Sequence, residues 1–207
     1  MNDHLSGAWT RPHATTILGV VRTDGVALAG DGQVTFGEYV IKHRARKIRL
    51  LKDGTTIAGF AGAVADALTL IEKFEQQLKA WDGNMRKAAV ELAKEWRTDR
   101  YLRRLEAQLL IANVDSLLLI SGDGDVIEPD DGVAAIGSGA PYASAAARAL
   151  ADHTEMGARE LVEAAMKVAA ELCIYTNDSF TIEWIAREDP ENSESENEPS
   201  TETDSNG

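Results

Sequence analysis

Few residue patterns in this chain could do chemistry. Four histidines, His4, His13, His43 and His153, are scattered, and none stands at the spacing that would set two zinc ligands on one helix face. There is no G-x-S-x-G turn to present a serine nucleophile and no G-x-x-x-x-G-K-S/T loop to cradle a nucleotide phosphate. Cys173 is the single cysteine, so no intrachain disulfide can form; within the apolar run 172–175 it is expected to pack as a small hydrophobe.

Four short stretches remain. In Ala29-Gly30-Asp31-Gly32 an acid is held between glycines at a strand end, which reads either as a plain turn or as a functional carboxylate. The basic run from His43 to Arg49, taken as an alternating strand, sends Ala45, Lys47 and Arg49 to one face and Arg46, Ile48 and Leu50 to the other. One lysine is thereby expected to point inward, where burial and a carboxylate partner would set its proton affinity. Gly59-Phe60-Ala61-Gly62 leads from a strand into a helix, and its small residues permit close backbone approach and an amide that could receive an oxyanion. Gly137-Ser138-Gly139 also joins a strand to a helix, yet the sixth position of a dinucleotide turn is Tyr142 rather than glycine. It reads as a connecting turn, or as a place where Ser138 contributes to an anionic site at a helix start.

The elements that must position these stretches are legible in the hydrophobic periodicity. Residues 16–22 and 26–30 are β-rich and flank Asp24-Gly25, and residues 47–51 and 56–60 flank Asp53-Gly54, so two hairpins of an antiparallel sheet are expected. Val64, Leu68, Ile71, Phe74 and Leu78 then recur at helical spacing up to Asp82-Gly83. A second helix is expected from about Met85 to Arg104, with Ala89, Leu92, Ala93 and Trp96 as its apolar stripe. Strands return at 107–113, 116–121, near Ile127 and at 133–136; helices over 140–152 and 158–174 and a strand over 180–186 close the domain. Runs of strands followed by pairs of helices indicate α+β layering rather than βαβ winding.

At 207 residues, 44% hydrophobic and 27% charged, the chain suits one domain with a sizeable core. Its longest apolar runs, such as 117–120, are strand-sized and far short of the roughly 20 residues of a membrane span. Residues 1–14 lack the cationic start and apolar run of a secretory signal. With the lone cysteine, that points to a cytoplasmic protein without membrane contact. The net charge of −13 is unevenly spread: from Arg187 onward eight acids face one base, with no apolar residue after Arg187. Residues 187–207 are therefore expected to form a disordered acidic tail. The overall acidity argues against nucleic acid as a partner.

The motifs Ala14-Thr15-Thr16-Ile17, Ala29-Gly30-Asp31-Gly32-Gln33, Ala45-Arg46-Lys47, Ala58-Gly59-Phe60-Ala61-Gly62, the helix text from Ala88 to Asp99, Ala135-Ile136-Gly137-Ser138-Gly139 and Cys173-Ile174-Tyr175-Thr176-Asn177 together resemble the HslV family of bacterial proteasome-like threonine peptidases. The resemblance spans residues 15–186. It implies the four-layer αββα sandwich of N-terminal nucleophile hydrolases, with residues 1–14 as a propeptide and residues 15–186 as the peptidase domain. It further implies Thr15 as nucleophile, Asp31 and Lys47 as its supporting pair, Gly59 as an oxyanion amide and Ser138 as a further polar member. A sodium ion on main-chain carbonyls maps to Ala170, Cys173 and Thr176. Two stacked six-subunit rings are implied, with a hexameric AAA+ unfoldase, HslU, that binds the ATP, activates the peptidase allosterically and delivers unfolded proteins.

The chemistry explains those residue types. A threonine hydroxyl is a poor nucleophile, but an N-terminal threonine carries an α-amine of pKa about 7.7–8.0 that can act as general base. Cleavage between Ala14 and Thr15, autocatalytic in this reading, would create that amine. Three features depart from the family pattern: the leader is longer than a single methionine, residue 170 is alanine where relatives often carry glycine, and the acidic tail has no counterpart. A silent ring subunit and an amidohydrolase acting on small amides stand as the alternative readings.

Overall fold

The computed structural model describes residues 15–187, apart from residues 37, 52, 103, 104, 106 and 122. The expected propeptide, the acidic residues from 188 on, and Arg103 and Arg104 of the expected second helix lie outside the described residues. The two foreseen hairpins both form, but in different sheets. β1 (Thr16–Arg22) and β2 (Gly25–Gly30) pair antiparallel. They are flanked by β10 (Val133–Gly137) and β11 (Thr181–Ala186) in the order β10-β1-β2-β11. β5 (Ile48–Leu50) and β6 (Ile57–Gly62) open a second sheet with β7 (Ala107–Asn113), β8 (Ser116–Ile120) and β9 (Val126–Ile127), in chain order.

Alternation explains why each sheet needs a layer on both sides. Along β1, Ile17 joins an apolar cluster with Leu28, Ile57, Leu110, Ala112 and Ile136, which cements sheet to sheet. Leu18 and Val20 face the other way, against α3 (Ala140–His153) and α4 (Ala158–Leu172), where they meet Ala147, Leu161, Val162 and Met166. Along β7, Leu109 and Ile111 point outward to α1 (Val64–Ala80) and α2 (Met85–Thr98), packing with Phe74, Leu92 and Trp96. The product is the expected helix–sheet–sheet–helix sandwich, because each strand pair carries two apolar faces and each helix only one. Close approach of the sheets is built in at Gly59, where a Cβ would stand 2.7 Å from Ile17 Cγ2.

Several boundaries differ from expectation. α2 stops at Thr98 rather than near Arg104, because Asp99 Oδ1 accepts the N–H groups of Tyr101 at 2.7 Å and Leu102 at 3.0 Å and turns the backbone away. α4 stops at Leu172, with Cys173 already extended. A third, two-stranded sheet of β3 (Val34–Phe36) and β4 (Tyr39–Lys42) escaped notice, being short and, over β4, exposed throughout. The β1–β2 turn also seats a helix: Asp24 accepts the N–H of Ala158 with both oxygens, at 3.0 and 3.1 Å, and so caps α4. No helix among the described residues is long and apolar enough to cross a membrane.

Candidate active site

The site forms where β1 begins, β2 ends and β10 runs into α3. Thr15 immediately precedes β1 and is buried. Its carbonyl accepts the Ser138 N–H at 2.7 Å, which fixes the approach to β1 against the 137–139 turn. Gly137 has φ +89°, and a Cβ there would strike the Thr15 carbonyl oxygen and approach Ala61 Cβ to 3.4 Å. That turn is glycine-rich because Thr15 occupies the space a side chain would need. Ser138 itself is exposed, and its backbone amide makes the contact.

Asp31 organises the interior. Its carboxylate is completely buried; Oδ1 accepts the Thr16 N–H at 2.7 Å and the Lys47 ammonium at 2.8 Å, and Oδ2 accepts the Gln33 N–H at 2.8 Å. Lys47 Nζ also donates to the Gln33 carbonyl at 2.6 Å. Burial pushes the Lys47 proton affinity below the ordinary lysine value, and the charge and hydrogen bond of Asp31 pull part of it back. The alternation expected along this segment does not appear in the burial, since Arg49 and Leu50 are both exposed. Lys47 and Ile48 are both buried while Arg49 is exposed, because β5 starts at Ile48 and Lys47 lies in the irregular approach to it.

The neighbouring Thr16 has a different environment. Its hydroxyl accepts the Gly139 N–H at 2.9 Å and shares a 2.7 Å hydrogen bond with the Thr176 hydroxyl. Thr16 is fully buried and committed to holding the 137–139 turn and the segment after α4. Of the two adjacent threonines, Thr16 is the structural one.

Gly59 lands in the sheet, and the phase of the ladder decides where its amide points. Phe60 N–H donates to the Lys47 carbonyl at 3.1 Å and Leu51 N–H to the Thr56 carbonyl at 2.8 Å. Even-numbered β6 residues therefore turn their backbone polar groups toward β5, and odd-numbered ones toward β7. Gly59 N–H is directed at its register partner Leu110, inside the sandwich. Gly62, the last residue of β6, turns its N–H to the β5 side beyond Lys47, next to Ala61 and the Thr15 turn. The strand phase thus moves the amide available for an oxyanion from Gly59 to Gly62. Only strand pairing reveals this.

The three residues whose carbonyls are expected to hold sodium follow closely along the chain where α4 ends. Ala170 belongs to its last turn, Cys173 N–H closes on the Ala169 carbonyl at 2.9 Å, and Thr176 N–H reaches the Cys173 carbonyl at 3.0 Å. The Ala170 carbonyl has no partner further along the helix, and these residues sit at the negative end of the helix dipole. Carbonyl oxygens are hard donors with a second lone pair to offer, so the donor set fits a hard cation. The side chains of Cys173 and Thr176 are not needed for it. A cavity of about 640 Å³ lies elsewhere, lined by Leu51, Asp53, Glu72, Glu75 and Lys79 among others. None of the site residues borders it.

Comparison with known proteins bears on the family and the fold. A family model described as "Proteasome subunit" matches residues 12–185. The ATP-dependent protease subunit HslV of Pseudothermotoga lettingae is 62% identical over 172 residues, covering 83% of this chain and 98% of that protein. The crystal structure of eukaryotic HslV from Trypanosoma brucei superposes with a TM-score of 0.80 at 45% identity, covering 83% of this chain and 99% of the other.

Proposed function

The chain belongs to the proteasome subunit family and within it to HslV, and on that footing we propose that it is the threonine-type endopeptidase subunit of an ATP-dependent cytoplasmic protease. The observation that supports this most directly is the shared oxygen of Asp31. It ties the backbone amide that follows Thr15 and the buried ammonium of Lys47 to one point.

In this reading, removal of residues 1–14 frees the Thr15 α-amine. That amine takes the hydroxyl proton as Thr15 Oγ1 attacks the scissile carbonyl carbon. Cationic Lys47 disfavours protonation of the amine and stabilises negative charge developing at the oxygen, while Asp31 keeps Lys47 charged and oriented. Gly62 N–H receives the oxyanion. The protonated amine then returns its proton to the leaving nitrogen, the C–N bond breaks, and water hydrolyses the ester left on Thr15. Ser138 serves through its backbone by holding the Thr15 carbonyl.

The carbonyls of Ala170, Cys173 and Thr176 would hold sodium, whose part is structural: neutralising the end of α4. ATP is used by a separate AAA+ unfoldase of the HslU type. The sequence of this chain contains no G-x-x-x-x-G-K-S/T motif. A double ring of hexamers, activated by that unfoldase and fed unfolded proteins, completes the proposal.

Intact mass and N-terminal sequencing of the purified active protein test it. The expected first residue is Thr15. A fully active preparation that still carries residues 1–14 would sink the reading.

A further inference from the structure

The structure gives Lys47 a second anchor besides Asp31, and that anchor is tethered to a distant part of the chain. Lys47 Nζ donates to the Gln33 carbonyl at 2.6 Å, as close as its contact with Asp31 at 2.8 Å. Gln33 is buried between the Asp31 turn and β3. Its N–H is held by Asp31 Oδ2 at 2.8 Å, and its side-chain amide donates to Thr35 Oγ1 and to the Ile174 carbonyl, each at 3.0 Å. Ile174 belongs to the turn between α4 and β11. A second latch joins the same turn to the same region: Asn177 Oδ1 accepts the Gly32 N–H at 3.0 Å, and Asn177 Nδ2 donates to the His43 carbonyl at 2.9 Å.

We infer that Gln33 is a positioning residue for Lys47, and that the 174–177 turn, through Gln33 and Asn177, sets where the ammonium sits. The physical reason lies in donors and acceptors. The Ile174 carbonyl can only accept, so the tether requires a side chain that donates, and glutamine supplies an amide NH2 where glutamate or methionine cannot. Among the described residues β3 pairs only with β4, so this segment is not held by the two large sheets. Without the tether the residue 33 carbonyl is free to drift from Nζ. A displacement of about 1 Å near a reacting group is enough to cost roughly 100-fold in rate.

The inference rests on the reading of Thr15 and Lys47 given above, and its test separates the two. Peptide hydrolysis by the purified protein, freed of residues 1–14, is measured across pH for wild type, Thr15→Ala, Gln33→Met and Asn177→Ala, alongside thermal unfolding. Asn177 is only half-buried, so its truncation keeps the test open if Gln33→Met fails to fold. Both tether variants are expected to lose roughly 10- to 100-fold in kcat with KM unchanged. Their alkaline limb should move to lower pH, because the ammonium, faced by the charge of Asp31, loses an acceptor that favours its protonated form. Variants that match wild type while Thr15→Ala is dead overturn the tether alone. A fall in activity that follows the melting temperature with an unmoved alkaline limb also overturns it, by reducing Gln33 to a packing residue. Activity retained in Thr15→Ala would instead overturn the underlying mechanism.

Discussion

Lys47 and Asp31 form an ion pair at 2.8 Å in which both side chains are nearly or wholly out of contact with solvent, at 4% and 0% relative exposure. A pair buried this deeply leaves a charge stranded when either half is removed. Asp31→Asn is therefore expected to destabilise the fold by about 3–5 kcal/mol, read as a lower urea midpoint at unchanged slope. Combining it with Lys47→Met should recover part of that stability and none of the activity. A double variant no more stable than Asp31→Asn would show that the carboxylate acts mainly through its backbone contacts.

The pH dependence follows from the lowered proton affinity of Lys47. Its unfolded value is the ordinary lysine value of 10.5 and its folded value lies below that. Between the two, the unfolded chain binds more protons, so this lysine's cost to stability is full at low pH and is relieved as pH rises through that window. Activity runs the other way, because the cation is the useful form. Peptidase activity should show an alkaline limb below 10.5, and an alkaline limb at or above the ordinary lysine value would contradict it.

Thr15 and Thr16 should respond differently to loss of a hydroxyl. Thr15→Ala removes the proposed nucleophile and is expected to lower kcat by about 10^4-fold or more with little change in melting temperature. Thr16→Val leaves the buried Gly139 N–H unpaired and breaks the contact with Thr176, a cost of about 1–3 kcal/mol. It should retain measurable turnover per folded molecule. Peptide hydrolysis and thermal melts on both variants decide the matter.

Gly137→Ala should injure the site more than the fold. With φ +89°, any side chain there is strained by about 1–3 kcal/mol, and the added methyl collides with the Thr15 carbonyl oxygen. The expected result is a modest loss of melting temperature and a far larger loss of kcat. Normal turnover in this variant would mean that the 137–139 turn does not place Thr15.

Much of this protein is readable from its sequence. Hydrophobic period separates strands from helices because alternation and helical spacing are local properties of the chain. It places β1, β2, β7, β10 and α3 to within a residue or so of their observed bounds, and the run order implies the layered α+β plan. The motifs around Thr15, Asp31 and Lys47 name the residues of the proposed site. Which sheet a hairpin joins was not legible, since β1–β2 and β5–β6 carry similar patterns and only packing assigns them to opposite sides of one core.

Two details of the site were equally hidden. Whether the amide of Gly59 or of Gly62 is available depends on ladder phase, a property of strand pairing and not of residue type. The convergence of Thr16, Gln33 and Lys47 on the Asp31 carboxylate, and the tether from Gln33 to Ile174 across 141 positions of chain, required the fold itself. Side-chain type fixes what a residue can donate or accept, but its partner is chosen by which distant segments the core brings together.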